Sequence, residues 1–398
     1  DLFFGSQDKF FGWPNMYTPF NFNETEDLKT QLFMLNHTQS YASGSIFEIS
    51  AYTRRHNDHY IFSRENPEIF QAFHKTEVKS VAFSGRHEQT ESFALNYSAQ
   101  FIEDSIESTS LENNFTSRRY YKASILPEYK MSLKDEQQLT FRLGAAFDDT
   151  DRDDSEVSLI GDIAWNTFNS DDSTQTIYLS YAEASQVAGY TAIGGSNTGG
   201  LFRSNYNLER ETTKNLELGL AFDGLTWSLD SAVFYRKDDD LTDWTYSLSS
   251  TSARSANPVD IETLGWELLA TTRLANAEII TSYTFLDKSE DYGAVDIDAS
   301  FYALNYPDHR LTFGAIWQFT DNVEIRVDNE WRRQEQNVLR NDGDDAFFTH
   351  LTLKVSPSQF QGLDIIFAAD NLWDESFEEI PGTPGRGEQY TATVTYNW

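Results

Sequence analysis

The last ten residues, QYTATVTYNW, alternate strictly between apolar and polar side chains. Tyr, Ala, Val and Trp occupy one face, and Gln, Thr and Asn occupy the other. The same alternation recurs in SFALNYSAQF (92–101) and LTFRLGAAF (139–147). Successive side chains of a β-strand point to opposite faces, so this period of two predicts strands with one apolar and one polar face.

Less regular alternation predicts fourteen further strands, which gives about 17 in all. They are 27–36, 44–54, 76–86, 118–129, 156–167, 174–183, 213–222, 226–236, 262–273, 277–286, 309–319, 323–333, 347–356 and 363–371. The pattern predicts no amphipathic helix of any length.

The connections between these strands alternate between short and long. HTQSYAS, HEQTE, LAN and TDN are short, whereas 55–75, 105–117 and 184–212 are long. The alternation weakens only at the acidic segment after Phe147. Short turns at one end and long loops at the other are typical of an antiparallel up-and-down transmembrane β-barrel, with periplasmic turns and extracellular loops.

The strand count predicts that the N-terminal part of the barrel is absent. Bacterial single-chain barrels have an even number of strands, and seventeen is odd. If the C-terminus is periplasmic, counting back places residues 1–26 in an extracellular loop. We therefore expect a truncated barrel whose unpaired edges aggregate in isolation.

Composition excludes several classes of protein. Hydrophobic residues make up 39% of the chain, yet the mean hydropathy is −0.54. No apolar stretch approaches the ~18 residues of a membrane helix, so a helical membrane protein is excluded. The net charge of −33 argues against a nucleic-acid partner, and the absence of Cys excludes disulfides and thiolate metal sites.

Six segments, in chain order, resemble motifs of TonB-dependent outer-membrane receptors of the siderophore and cobalamin type. They are FFGWPNMYTPFNFNETEDLKTQLF (10–33), NLERETTKNLELGL (207–220), LTDWT (241–245), ETLGWELLATTRL (262–274), NYPDHRLTFGAIWQF (305–319) and AADNLWDESFEEIPGTPGRGEQYTATVTYNW (368–398). The resemblance covers the whole chain.

The resemblance implies a barrel of about 22 strands closed by an N-terminal plug. Such receptors import a scarce bulky nutrient, such as a siderophore–iron complex or cobalamin, with energy relayed by the TonB complex through the plug. Residues 1–398 would then be the barrel domain in a Gram-negative outer membrane, without the plug, the TonB box and about five first strands.

Two alternatives to an energy-coupled receptor remain open. A passive porin-like channel would share the barrel, and an outer-membrane hydrolase could also be built on one. The chain has none of the G-x-S-x-G, P-loop or H-E-x-x-H motifs, so an enzyme is not expected. A plug and TonB box upstream of residue 1 would favour the receptor.

Loop aromatics are the candidate contacts for a large rigid small-molecule ligand. They are Trp13, Tyr17, Tyr190, Phe202 and Tyr206. The alternative is that they form interfacial girdles, as membrane barrels require. Haem is disfavoured, because residues 184–212 contain no His.

No resident cofactor is expected, although one acidic loop is dense enough to attract Ca²⁺. DDTDRDDSE (148–156) supplies the candidate ligands Asp149, Asp151, Asp153 and Asp154. It lacks the spacing of an EF-hand, and a solvated acidic loop is the alternative. His56 and His59 would face opposite sides of a strand, which disfavours a shared metal.

The closing strand is also a candidate assembly signal. Tyr390, Val394, Tyr396 and Trp398 would lie on its lipid-facing side, with the terminal aromatic at the periplasmic interface. The resemblance adds the barrel assembly machinery, outer-membrane lipid and lipopolysaccharide as expected partners.

Overall fold

The computed structural model describes residues 1–134, 136–169 and 172–397. Their secondary structure consists of twenty strands and one short helix, α1 (Tyr190–Gly194). The strands are β1 (Leu2–Pro14), β2 (Asn23–Ser40), β3 (Ile46–Ile61), β4 (Gln71–Thr90), β5 (Phe93–Ser108), β6 (Ser117–Ser132), β7 (Gln137–Thr150), β8 (Glu156–Phe168), β9 (Thr174–Val187), β10 (Phe202–Arg203), β11 (Arg210–Asp223), β12 (Trp227–Tyr246), β13 (Arg254–Leu274), β14 (Ala277–Asp291), β15 (Ala299–Ser300), β16 (Pro307–Thr320), β17 (Val323–Gln334), β18 (Asp345–Val355), β19 (Leu363–Asp370) and β20 (Gln389–Tyr396). No helix of this described part is long and apolar enough to cross a membrane.

Eighteen long strands form one antiparallel meander in which each pairs with the next along the chain. The two remaining strands, β10 and β15, are two residues long and lie within loops. β10 pairs in parallel with the start of β13, and β15 pairs with the end of β12. This topology confirms the predicted all-β, up-and-down fold.

The prediction that residues 1–26 form one extracellular loop is wrong for residues 2–14, whereas 15–22 do form a connection on the long-loop side. Leu2–Pro14 form a full strand whose thirteen residues all pair with β2, from Leu2 opposite Leu35 to Pro14 opposite Asn23. The prediction failed because Ser6, Gln7 and Asp8 interrupt the apolar alternation of this strand. The described residues therefore contain eighteen long strands instead of the 17 predicted.

The connections confirm the alternation of short and long ends. At one end they have two to seven residues: 41–45, 91–92, 133–136, 169–173, 224–226, 275–276, 321–322 and 356–362. At the other end they have five to 22 residues: 15–22, 62–70, 109–116, 151–155, 188–209, 247–253, 292–306, 335–344 and 371–388. Both β1 and β20 have their free ends on the short-connection side.

The outward face carries an apolar belt across neighbouring strands. In β3 to β6, Ala51 pairs with Val81, Val81 with Phe101, and Phe101 with Tyr121. Val81 is 52% exposed and Tyr121 is 49% exposed. Such exposure is expected of a surface that faces lipid rather than water.

The strands continue past this belt on the long-loop side. Above Ala51 and Thr53, the outward residue of β3 is Arg55, which forms an ion pair with Glu77 at 3.3 Å. Sixteen residues of β3 exceed the ~9–11 needed to cross a bilayer. Residues from Arg55 onward therefore lie outside the membrane-spanning part of β3.

The inward face is polar along the same strands. Arg86 of β4 donates to Glu128 of β6 at 2.7 Å, and the hydroxyls of Ser98 and Ser124 are 2.7 Å apart. A polar inner face and an apolar outer face are what a membrane barrel with a hydrated lumen requires.

The sheet keeps two free edges among the described residues. β1 pairs with β2 alone, and β20 with β19 alone. On the long-loop side, however, the two edges are bridged by loops: the Asn15 amide donates to the Gly382 carbonyl at 3.0 Å, and the Thr383 hydroxyl donates to the Asn15 carbonyl. The guanidinium of Arg386 also lies 5.7 Å from the centre of the Trp13 ring.

Candidate functional site

A cavity of about 490 Å³ lies on the long-loop side, between loop 15–22, the ends of β2 to β4 and loop 188–209. Its aromatic lining consists of Tyr17, Tyr60, Phe70, Phe202, Trp244 and Tyr302. An apolar and aromatic lining with a few polar groups is typical of small-molecule sites, which measure about 300–1,000 Å³.

A larger groove of about 810 Å³ lies nearby. Its cations are already matched by neighbouring carboxylates, since Lys29 pairs with Asp8 at 3.3 Å and Lys75 with Glu107 at 2.7 Å. The smaller aromatic cavity is therefore the better candidate for ligand binding.

Glu24 holds Tyr17 in the cavity wall. The buried carboxylate accepts hydrogen bonds from the backbone N–H groups of Tyr17 and Thr18, at 2.7 and 2.9 Å, and from the Thr18 hydroxyl. These bonds fold loop 15–22 back over the strand ends. The Tyr17 hydroxyl then donates to Glu26 at 2.7 Å, which fixes the ring.

Phe202 forms the centre of the aromatic wall. Its ring lies edge-on to Tyr60, at 6.0 Å and 69°, and to Trp244, at 6.4 Å and 89°. Edge-to-face pairs at these separations are favourable. Phe202 reaches this position because β10 pairs with the start of β13, where Phe202 lies opposite Arg254.

Arg254 places a positive charge in the cavity wall. It is 4% exposed, its Nη1 donates to the Tyr302 hydroxyl at 2.8 Å, and its guanidinium lies 3.9 Å from the centre of the Phe301 ring. No carboxylate of the described residues lies within 4.0 Å of it. A buried charge without a countercharge is costly, so the site favours an anionic ligand group.

An acidic corner of the same cavity is formed by Glu26 and Asp58, with His74 beside them. Asp58 and His74 face each other across β3 and β4. Burial and the neighbouring Glu26 carboxylate raise the pKa of Asp58 to about 7. Burial lowers the pKa of His74, so its imidazole is neutral at that pH. The charge of this corner therefore changes near neutral pH.

Replacing Asp58 by Asn is expected to raise the melting temperature at pH 8 and to leave it unchanged at pH 4. The pKa of Asp58 is about 7 in the folded state, against an ordinary value of 3.8. Ionisation therefore destabilises the folded protein, and this destabilisation grows as the pH rises from about 4 to about 7. Asn stays neutral beside Glu26, Tyr17, His74 and Arg254.

Circular-dichroism melts of the full-length protein in detergent at the two pH values measure this difference. Asp27→Asn is the control, because Asp27 is exposed on the outward face. An equal gain from both variants at pH 8 would show that general charge reduction, and not burial of Asp58, is responsible.

Two of the five predicted aromatics line the cavity. They are Tyr17 and Phe202. Trp13 instead lies one residue before the end of β1 and lines a separate cavity of about 520 Å³ beside the loop bridge between the two sheet edges. Tyr206 is 37% exposed in loop 188–209 and is not part of the lining.

Tyr190 has a structural environment outside the cavity. Its hydroxyl donates to Asp104 at 2.6 Å, and the guanidinium of Arg118 lies 4.0 Å from its ring centre. Arg118 in turn pairs with Asp104 at 2.9 Å. These contacts anchor loop 188–209 to β5 and β6. Burial raises the pKa of Tyr190, and the hydrogen bond to Asp104 adds to this shift.

The four predicted calcium ligands are not gathered into one group. Asp151 accepts a hydrogen bond from the Arg119 backbone N–H at 3.0 Å, and Asp153 pairs with Arg152 at 3.5 Å. Asp149 lies within β7 and Asp154 in the following loop. Across the described residues, no group of three or more His, Asp or Glu side chains is arranged to hold a metal ion. Calcium binding here stays a prediction.

The predicted assembly signal lies partly within the described residues. Tyr390, Val394 and Tyr396 are 64%, 67% and 56% exposed on β20. Val394 pairs with Ile365 in the register that also places Ala392 opposite the exposed Phe367. Trp398 lies outside the described residues, and the role of the strand in assembly stays a prediction.

The sequence did not single out Tyr60, Trp244, Arg254 or Tyr302. Tyr60 is the last residue of RRHNDHY, a segment that was considered only for its two His residues as possible metal ligands. In the structure His56 contacts Thr30 while His59 stacks on Phe73, so the two do not share a site. Trp244 lies in LTDWT, and its neighbour Asp243 is a buried acceptor for Tyr292 and for the Ala303 N–H.

A family model described as "TonB dependent receptor-like, beta-barrel" matches residues 2–372. The chain therefore belongs to this family, and the predicted resemblance is confirmed. No curated protein matches the chain in sequence.

Several solved structures share the fold. The FrpB iron transporter from Neisseria meningitidis (F3-3 variant) matches with a TM-score of 0.74 and 13% identity, over 99% of this chain and 68% of that one. The pyoverdine outer membrane receptor FpvA from Pseudomonas aeruginosa PAO1, bound to pyoverdine, matches with a TM-score of 0.70 and 11% identity, over 99% and 68%. The siderophore receptor PirA from Acinetobacter baumannii matches with a TM-score of 0.67 and 13% identity, over 93% and 62%.

This chain thus spans about two thirds of the length of these structures. The relationship places the chain among the β-barrels of the TonB-dependent receptor family. At these identities the likeness to the solved structures concerns the fold, and the ligand must be argued from the site.

Proposed function

We propose that this chain is the barrel of an outer-membrane receptor that captures a ferric siderophore or a similar bulky metal chelate and imports it with TonB. The observation that carries the proposal is the aromatic cavity on the long-loop side, with the buried guanidinium of Arg254 in its wall. Ferric chelates are large, present flat conjugated groups and carry acceptor oxygens, which suit aromatic rings and an unpaired cation.

The position of the cavity supports capture from outside the cell. It lies beyond the apolar belt, on the side of the long connections, and opens over the polar inner face of the sheet. A ligand held there would be placed above the lumen. FrpB is an iron transporter, PirA is a siderophore receptor and FpvA is a pyoverdine receptor, which makes this ligand class the first to test.

Uptake by cells carrying the full-length gene tests the proposal. A strain deleted for its own receptors is given radioactive-iron complexes of hydroxamate, catecholate and mixed siderophores, with cobalamin as a ligand of a different class. We expect saturable uptake of at least one ferric complex, lost when TonB is deleted. Uptake that stays proportional to concentration without TonB would indicate the porin-like alternative, and binding of no chelate would overturn the proposal.

A further inference from the structure

The cavity holds two opposite charges that do not neutralise each other. Arg254 lies in one wall, and the acidic corner of Glu26 and Asp58 lies in another. Tyr17 stands between them: its ring centre is 5.6 Å from the Arg254 guanidinium, and its hydroxyl donates to Glu26 at 2.7 Å. Each charge therefore remains available to a ligand.

At the Arg254 wall a hydrogen-bond donor is left over. Although Arg254 is only 4% exposed, its Nε has no hydrogen-bond partner among the described residues. Its Nη1 contacts a neutral phenol, and its other neighbours are ring faces. Buried donors are almost always paired, so this wall is complementary to an anionic oxygen.

At the acidic corner an acceptor is left over. Asp58 Oδ1 is buried without a hydrogen-bond partner among the described residues, and so is Nδ1 of the facing His74. Glu26 adds a second carboxylate, which accepts a hydrogen bond from the Tyr17 hydroxyl and also shares a hydrogen bond with Asp58. At pH 8, above the Asp58 pKa of about 7, the proton that the two groups share is lost. The two adjacent carboxylates then repel each other, so this corner is complementary to a positively charged donor.

We propose that the cavity selects a bipolar ligand, a metal chelate that carries both an anionic group and a protonated amine. The anionic group lies at Arg254, and the amine lies at Asp58 and Glu26. The flat part of the ligand packs against Phe202 and Trp244, which connect the two walls. This inference rests on the proposed function and specifies its substrate class.

Four forms of one synthetic ferric tris-hydroxamate test the proposal. One form carries a free primary amine and a carboxylate, the second has the amine acetylated, the third has the carboxylate amidated, and the fourth has both groups blocked. Binding to the full-length receptor in detergent at pH 8 is followed by quenching of tryptophan fluorescence, since Trp244 lines the cavity. We expect each charged group to tighten binding about tenfold, or about 1.4 kcal/mol.

Variants assign each preference to its wall. Asp58→Asn combined with Glu26→Gln is expected to abolish the advantage of the free amine and to keep that of the carboxylate. Arg254→Gln is expected to do the reverse. Heat-modifiability on gels shows whether each variant is folded, and the acidic-corner variant keeps the test decisive if Arg254→Gln does not fold.

The outcomes separate this inference from the proposed function. Equal binding of all four forms would overturn the bipolar ligand and leave chelate capture standing. An amine preference that survives in the Asp58→Asn, Glu26→Gln variant would also overturn it. If none of the four forms binds and the uptake experiment finds no other chelate, the proposed function itself fails.

Discussion

Replacing Trp244 by Ala is expected to weaken chelate binding by about 10- to 100-fold, or about 1.4 to 2.8 kcal/mol. Trp244 lines the cavity and meets Phe202 edge-on at 6.4 Å. Its removal takes away a stacking surface and also the partner that orients Phe202. Large aromatic side chains dominate the binding energy of such sites because they supply much rigid apolar area.

Tyr206→Ala is the matched control for this prediction. Tyr206 is also a loop aromatic, but it is 37% exposed and outside the cavity lining. We expect its loss to change the affinity less than about twofold, as for a surface residue away from the site. Equilibrium binding of a ferric siderophore to the two full-length variants measures the difference. Equal losses would show that the ligand contacts Tyr206 as strongly as Trp244, and that its site lies outside the cavity.

The 398-residue chain on its own is expected to form oligomers in detergent rather than a heat-resistant closed monomer. β1 and β20 each leave one edge without a strand partner among the described residues. Unpaired backbone groups at a sheet edge are costly in an apolar medium and pair readily with another chain. Size-exclusion chromatography with light scattering and gel heat-modifiability report the two states, with the full-length protein as the closed reference.

Charges placed on the two edges test whether these edges cause the association. Gln7→Lys and Thr395→Lys place a cation on β1 and on β20, at positions that are exposed. The double variant is expected to shift the chain towards monomer, because like charges on meeting edges repel. A closed, heat-resistant monomer of the unmodified chain would show that β1 pairs with β20 and that the edges are not free.

Much of the fold is predictable because lipid and lumen impose opposite demands on alternate side chains. Strands such as Phe93–Ser108 show the period of two directly. The alternation of short and long connections shows at which end of the sheet each strand begins. β1 was not predicted, because its middle lacks the apolar–polar alternation on which the prediction depends. The residues from Ser6 to Asp8 are polar on both faces. The backbone hydrogen bonds that pair β1 with β2 do not depend on the type of side chain, so the sequence does not reveal them.

The site is less predictable because loop contacts decide which side chains meet. Tyr17 and Tyr190 look equivalent in sequence, yet one lines the cavity and the other is held by Asp104 and Arg118. Arg254 has no local signature among the Arg residues of the chain. Its role depends on β10, a two-residue strand that brings Phe202 beside it from a point about fifty residues earlier.

The loop bridge between the two edges also has a kinetic consequence. Asn15 and Gly382, which it joins, are 367 residues apart, whereas each neighbouring pair of long strands is linked by at most a 22-residue connection. Closing a longer loop costs more entropy, by about 0.6 kcal/mol for each doubling, so hairpins form before this contact can. Arg386 reaches the Trp13 ring only once the bridge has formed. The fluorescence of the Trp13 indole therefore reports the last step of folding, in which the curved sheet brings its two ends together.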